Sequence, residues 1–407
     1  MKKKLKILFW GNSGNYPFEL AEMLSKDHFV EMFHMQSDWI WNKDSYSIDE
    51  NNFPSWNKIY DDSSYFRSIF IERKILNYIN NNFDVVVVCG NSLISAFAFK
   101  IPYVIFPTGG EINSNPFLTF RSFINLKTFF RAFYLNLSIK RAQKILSTAD
   151  GFPFHIKAYS RFKHKGVVNC YAPINQDYLK SLVKKDLLLD LNNKYKNFNL
   201  VILWFNRFNS VPNTPSFKDP QLFLDSIFIT LEKHKNIKII YAEHGVDFKK
   251  FHKKIKDSKF SSSFECIPYL KGGEYHTYLS IENAIVVDSL ASSNGGYNSH
   301  AIRDSLGLNA LVAANYDNDI YYVYPQGYPI FRVNSANDLV KVFSDLYHWT
   351  KNDRDEYKKK IQKWFDEYMD HKIIIKNYEK ELLYLLLFHK YKTKIPYPFS
   401  LIGTNKL

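Results

Sequence analysis

Four segments combine glycine, hydroxyl, amide or charged side chains at spacings that can hold a polar ligand. The first is Gly11-Asn12-Ser13-Gly14-Asn15, which follows an apolar run and precedes a helical pattern. Its backbone N–H groups can face an anion or sugar hydroxyls, although a plain turn would use the same glycines. The second is Pro107-Thr108-Gly109-Gly110-Glu111. Gly109 and Gly110 permit close backbone approach and the Glu111 carboxylate can orient or deprotonate a hydroxyl, against the simpler reading of a tight turn carrying a solvated acid. The third runs from Ser292 to His300 and holds Gly295, Gly296, Tyr297, Asn298 and Ser299. Small residues and paired glycines at a helix N-terminus cradle a diphosphate, because N–H donors and the positive end of the dipole converge there. A helix cap explains the Asn and Ser but not the adjacent glycines. The fourth is Asn206-Arg207, with Lys218 beyond a proline-bearing loop. An Arg at the carboxyl end of a strand pairs with phosphate oxygens and offsets charge on a leaving diphosphate; the alternative is a surface cation. His244, in Glu243-His244-Gly245, is a lesser candidate for a sugar or phosphate contact.

Short apolar runs alternating with longer helical patterns must position these segments, and that alternation predicts an α/β protein built on parallel sheets. Strands are predicted at Leu5–Trp10, Asp84–Cys89, Tyr103–Phe106 and Val167–Cys170, with helices at Pro17–Lys26, Ile69–Asn82 and the long stretch Phe117–Leu146. The pattern restarts near Asn199, with strands at Leu200–Phe205, Ile237–Ala242, Ala284–Val287 and Ala310–Ala313 and helices at Pro220–His234, Tyr297–Leu306 and Ala336–Thr350. Each candidate segment follows a strand, where open parallel sheets bind ligands. The polar stretch from Lys184 to Asn199 reads as the linker. The expected division is 1–185, 186–352 and a helical tail over 353–407.

The chain has 407 residues, 46% of them hydrophobic and 23% charged, enough for two globular domains and incompatible with a disordered or fibrous protein. Its 54 Lys and Arg against 40 Asp and Glu give a net charge of +14, which favours anionic partners. Three isolated cysteines, Cys89, Cys170 and Cys266, fit neither a disulfide framework nor a zinc site and suit a reducing cytosol. No GxSxG or HExxH occurs, no metal site is expected, and no nucleic-acid motif accompanies the basic charge. No run is long enough to span a bilayer. The stretch from Phe117 to Leu146 interleaves Arg121, Lys127, Arg131, Lys140, Arg141 and Lys144 with apolar residues. It can be read as a helix resting on an anionic membrane or as one buried against the first sheet.

This order of segments resembles the GT-B glycosyltransferases, particularly the family 4-like enzymes of bacterial surface polysaccharide synthesis. Ile101-Pro102-Tyr103-Val104 with Thr108-Gly109-Gly110-Glu111-Ile112 is similar to the strand and "HGSD"-like loop of the family's acceptor domain. Arg141-Ala142 through Ser147, then Ala172-Pro173-Ile174-Asn175, resemble its crossover to the donor domain, and Asn206-Arg207 resembles the "GR" that opens the donor half. Gly295 to Leu306 and Gly307-Leu308-Asn309-Ala310 stand where the donor-binding helix and its "GxP" turn belong. The family's glutamate pair is missing near Ile302, Arg303 and Asp304, so Asp304 is the expected substitute as ribose-binding carboxylate.

The resemblance implies two Rossmann-like domains facing across a cleft, with a final helix that crosses back to the first. It also implies a nucleotide-sugar donor at Arg207, Lys218, His244, Gly295–Ser299 and Asp304, and an acceptor at Gly11, Asn12, Gly14 and Thr108–Gly110, with Glu111 and Arg207 catalytic and no metal required. The expected activity is sugar transfer to a glycan or lipid-linked acceptor in cell-envelope assembly, by a cytoplasmic protein whose attachment to the inner membrane face stays open. A nucleotide-sugar 2-epimerase and a degenerate binding protein on the same fold are the alternatives.

Overall fold

The computed structural model describes residues 4–12, 16–36, 54–61, 69–107, 125–148, 167–170, 174–211, 217–270, 272–290, 300–315 and 327–391. The chain divides into two compact units, residues 1–173 with 371–407, and residues 174–370.

The first unit contains β1 (Lys6–Trp10), α1 (Tyr16–Ser25), β2 (Phe29–Met35), β3 (Asn57–Tyr60), α2 (Arg73–Asn82) and β4 (Val85–Cys89). A 3-10 segment at Gly90–Ala98, β5 (Tyr103–Phe106), α3 (Leu126–Arg141), β6 (Lys144–Thr148) and β7 (Val167–Cys170) follow. The sheet order is β3-β2-β1-β4-β5-β6-β7, every pairing parallel. Strands such as Val85–Cys89 are apolar throughout because both faces of a parallel sheet are covered.

The second unit contains α4 (Gln176–Leu182), α5 (Lys185–Tyr195), β8 (Leu200–Trp204), α6 (Pro220–Lys233), β9 (Ile237–Ala242), α7 (Phe248–Lys256) and β10 (Phe264–Ile267). It continues through α8 (Gly273–Leu279), β11 (Ala284–Asp288), α9 (His300–Gly307), β12 (Leu311–Ala314), β13 (Phe331–Arg332), α10 (Ala336–His348) and α11 (Lys351–Tyr368). Its parallel sheet has the order β10-β9-β8-β11-β12-β13, so the strand order reverses between β8 and β11. Both units are Rossmann-like and the architecture is α/β.

Three sequence expectations change. The segment 184–199 is no linker: it is mostly α5, whose Leu191 and Tyr195 are buried in the core of the second unit. The predicted helix 117–146 ends at Arg141, where Ala142 turns extended and Lys144 opens β6; residues 117–124 lie outside the described residues. Strands β2, β3, β6, β10 and β13 interrupt regions read as loop or helix, because they are short or carry polar residues such as Glu31 and His34 whose burial depends on tertiary partners.

The tail also divides. α11 packs within the second unit, where Gly307 lies against Phe365, whereas α12 (His371–Tyr391) belongs to the first. Tyr378 of α12 stacks on Phe106 at 6.0 Å. His28 accepts the Leu5 N–H at Nδ1, so its Nε2 donates to Glu379 Oε1 at 3.0 Å, in a pair almost wholly buried. The ammonium of Lys144, 2% exposed, donates to the Glu381 carboxylate.

A buried ion pair is most costly when one partner is lost. Lys144→Met is therefore expected to lower the stability of the first unit by about 3 kcal/mol, read from its urea unfolding midpoint, while adding Glu381→Leu recovers most of that loss.

Candidate functional site

Ligands of open parallel sheets lie beyond the carboxyl ends of strands, at the point where the order reverses. In the second unit that point is the crevice between β8 and β11. The loop after β8 supplies Asn206 and Arg207, that after β9 supplies His244, and the end of β11 supplies Asp288 and Ser289.

Backbone contacts hold these loops together. Phe208 N–H donates to the His244 carbonyl at 2.9 Å, and Asp247 N–H donates to the Phe208 carbonyl at 2.9 Å. Gly245 adopts φ +107°, and a Cβ there would stand 2.5 Å from the nitrogen and oxygen of Phe208, so only glycine fits. The Asp247 carboxylate accepts from both N–H and Oγ of Ser210 at 2.7 Å, and these bonds hold its pKa below the ordinary value. On the other side, Asn206 Nδ2 donates to the Val287 carbonyl at 2.9 Å, and Asn315 N–H donates to the carbonyl of Ser289 at 3.0 Å.

Within this frame Arg207 Nε donates to His244 Nε2 at 3.0 Å. The imidazole therefore carries its proton on Nδ1. Burial first, and the Arg207 charge second, lower the His244 pKa, and its ring leans on Tyr269 at 4.5 Å. Lys218 Nζ donates to Ser289 Oγ and lies 3.7 Å from Oδ1 of the buried Asp288. Two cations of different geometry, a planar fork and a point charge, thus stand on the loops beyond the carboxyl ends of this sheet.

Of the residues singled out from sequence, Arg207 is paired with His244, and Lys218 contacts Ser289 and Asp288 at the end of β11. Asp304 has a different partner: His276 Nε2 at 3.4 Å, with His276 Nδ1 donating to the Gly272 carbonyl at 2.9 Å. Gly14, Thr108, Gly109, Gly110, Glu111, Gly295, Gly296, Tyr297, Asn298 and Ser299 lie outside the described residues.

Gly11 and Asn12, read as acceptor contacts, have architectural work. A Cβ on Gly11 would collide with Ser92 Oγ and lie 2.6 Å from the Cys89 carbonyl oxygen. Asn12, fully buried, accepts the Phe18 N–H at 3.2 Å and so closes the first turn of α1; its amide also meets His34 Nδ1 at 3.5 Å. Burial holds the His34 pKa down at about 4, so that ring stays neutral. Asp288 and Ser289 escaped the sequence reading; an acid closing the apolar run Ala284–Val287 was the available signal.

No protein-family model and no curated protein matches the sequence. Solved structures do match in fold. The Anabaena protein HepE in complex with UDP and glucose aligns with a TM-score of 0.63 at 12% identity, over 93% of this chain and 100% of its own. A glycosyltransferase from Rickettsia africae aligns at 0.61 and 13% identity, over 95% and 99%. A putative UDP-N-acetylglucosamine 2-epimerase from Listeria monocytogenes aligns at 0.53 and 14% identity, over 98% and 100%. The fold is that of the GT-B class.

Because the Arg207 charge helps to lower the His244 pKa, Arg207→Ala is expected to move the imidazole titration upward, toward but short of the ordinary 6.5, since burial remains the larger cause. Proton NMR of the ring reads this. Because its folded-state pKa is depressed, His244 contributes stability that is complete above 6.5 and disappears as pH falls through the lowered value.

Proposed function

We propose that this chain is a glycosyltransferase that moves a sugar from a nucleotide-sugar donor on the second unit to a glycan or lipid-linked acceptor on the first, in assembly of a cell-envelope polysaccharide. The observations that support the reading are the Arg207–His244 pair and the Lys218 contacts with Ser289 and Asp288, both on loops beyond the carboxyl ends of β8, β9 and β11. With Nε held by His244, the guanidinium presents Nη1 and Nη2 as a pair to phosphate oxygens. As the bond from the sugar to the diphosphate breaks, Arg207 and Lys218 offset the charge that develops on the leaving group. The neutral His244 orients Arg207 without competing for the anion. By the resemblance, Gly295–Ser299, which precede α9 in the sequence, would complete the cradle, and Glu111 would take the proton of the acceptor hydroxyl. The reaction as proposed uses the nucleotide sugar as co-substrate and requires no metal. HepE was solved with UDP and with UDP-glucose, and the sequence resembles family 4-like enzymes, both of which support a nucleotide-sugar donor.

The test is thermal unfolding against UDP, GDP, CMP, ADP and dTDP. A nucleotide at about 100 times its Kd should add about 2.7 kcal/mol of stability. Wild type should shift with one of them and Arg207→Ala should not; no shift with any of them would remove the reading. Release of free nucleotide with an epimerised sugar and no acceptor would mark the 2-epimerase alternative instead, and binding without turnover the degenerate one.

The same proposal places the first unit against an anionic membrane. On α3, Leu126, Phe130 and Phe133 are 69%, 45% and 52% exposed and recur at i, i+4 and i+7, with Lys127 and Lys140 also exposed. Lys144, counted in this basic stretch from sequence, instead lies buried on β6, and Arg141 donates to the carbonyls of Phe97 and Phe99. Among the described residues no helix is long and apolar enough to cross a membrane. The protein is expected to co-sediment with anionic vesicles and to release at high salt, while Phe130→Asp with Phe133→Asp stays in the supernatant. Indifference to lipid charge would exclude attachment.

A further inference from the structure

At the opposite edge of the second sheet, where β8 and β11 begin, lies a hollow of about 550 Å3. Asn192 of α5 forms part of its wall, and Asn199 and Asn283 line it from the positions just before the two strands. Tyr347 lies in the last turn of α10, Trp349 follows that helix, and Asp355 belongs to α11. The volume suits a small-molecule site.

Each of the three amides spends one end on the protein. Asn192 Oδ1 accepts the Glu282 N–H at 3.0 Å, Asn199 Oδ1 accepts from Asn236 Nδ2 at 2.9 Å, and Asn283 Nδ2 donates to the carbonyls of Tyr195 at 3.2 Å and Phe198 at 2.7 Å. Those bonds fix which way each amide is turned. They leave Nδ2 of Asn192, Nδ2 of Asn199 and Oδ1 of Asn283 without a partner among the described residues, and none of the three residues is buried. The carboxylate of half-buried Asp355 likewise makes no hydrogen bond or ion pair among the described residues. The other charges are engaged: Glu282 pairs with Lys351 at 2.6 Å, and Arg354 Nη2 donates to the carbonyls of Asn199 at 2.7 Å and Leu346 at 2.9 Å, which ties α11 to the start of β8. Two half-buried rings stand beside these groups. Trp349 packs against Phe331 at 5.9 Å and Tyr357 at 5.5 Å, and Tyr347 against His234 at 4.4 Å, so both rings are held in place.

We infer that this hollow binds an uncharged sugar unit, whose hydroxyls meet the free ends of the three amides and the Asp355 carboxylate and whose C–H face rests on Trp349 and Tyr347. A hydroxyl both donates and accepts, so one kind of group serves the Nδ2 and the Oδ1 ends alike. Glu282 and Asp355 act against an anion, and Lys351 and Arg354 against a cation, so the mixed lining selects a neutral ligand. Held aromatic rings supply the apolar platform that orients a ring. The site is separate from the crevice at the carboxyl ends of the same strands, uses only the second unit and does not depend on the transferase reading.

Ligand-observed NMR titration of the full chain with cellotetraose, maltotetraose and chitotetraose tests it, with tetragalacturonate and the glucosamine tetramer as the anionic and cationic counterparts. At least one of the neutral saccharides should bind saturably, and neither charged one should. Asp355→Ala and Asn192→Asp should each weaken that binding about tenfold, the effect of one hydrogen bond lost from a site, and Trp349→Ala should abolish it. Asp355 makes no hydrogen bond within the protein and an Asp at position 192 still accepts the Glu282 N–H, so neither change removes a bond of the fold. The nucleotide-dependent thermal shift should be unchanged in both. If wild type shows no nucleotide shift and still binds a neutral saccharide through these residues, the transferase reading fails and this one stands. No saturable binding of a neutral saccharide, equal binding of a charged one, or an affinity unaltered in either Asp355→Ala or Asn192→Asp would overturn it.

Discussion

The approach of the loop after β9 to the loop after β8 governs the carboxyl edge of the second unit's sheet. Gly245 and the Phe208 backbone leave no room for a side chain between them, and φ +107° at Gly245 is a conformation that L residues rarely adopt. From that contact follow the two backbone bonds that join the loops, the Ser210 hydroxyl on Asp247, and the height at which His244 faces Arg207. A Cβ at position 245 would separate the loops and leave Arg207 as an unoriented surface cation. The electrostatics of the crevice therefore rest on a steric fact.

β8 and β11 are neighbours in space and distant in sequence, and their adjacency creates polar edges at both ends of one pair of strands. Along their length both are wholly buried and apolar. Polar groups are confined to the ends, where the loops cannot all be covered. At the carboxyl end the side chains engage one another, Arg207 with His244 and Lys218 with Ser289. At the amino end Arg354 is fixed by main-chain carbonyls and keeps one donor directed at no acceptor of the protein.

Much of this was legible because parallel strands announce themselves. Val85–Cys89 and Leu200–Trp204 are uninterrupted apolar runs and Ile237–Ala242 is broken only by Lys238, and the candidate residues Arg207 and His244 stand just beyond the last two. What stayed hidden depends on partners far along the chain. Lys144 looks like a solvated cation until Glu381, 237 residues later, is placed beside it. Glu31 in β2 reads as a loop acid until Lys58 at 2.7 Å and Tyr78 at 2.8 Å surround it. Asn12 has the composition of a ligand contact, yet its amide closes a helix, because capping and sugar binding call on the same donors and acceptors. Asp304, expected from the resemblance to meet a ribose, lies 3.4 Å from His276 Nε2, a contact that its sequence position does not announce.

The first unit is discontinuous: its sheet is complete by Cys170, but α12 arrives only after the whole of the second unit has been made. On a ribosome, where chains emerge from the N-terminus, residues 174–370 are made before the partners of His28 and Lys144. Until Glu379 and Glu381 appear, the earlier half keeps exposed the surface that Tyr378 will cover, a state open to chaperone capture. Chains that stop before α12 would carry a second unit whose residues are all present, attached to a first unit that lacks both of its buried carboxylate partners.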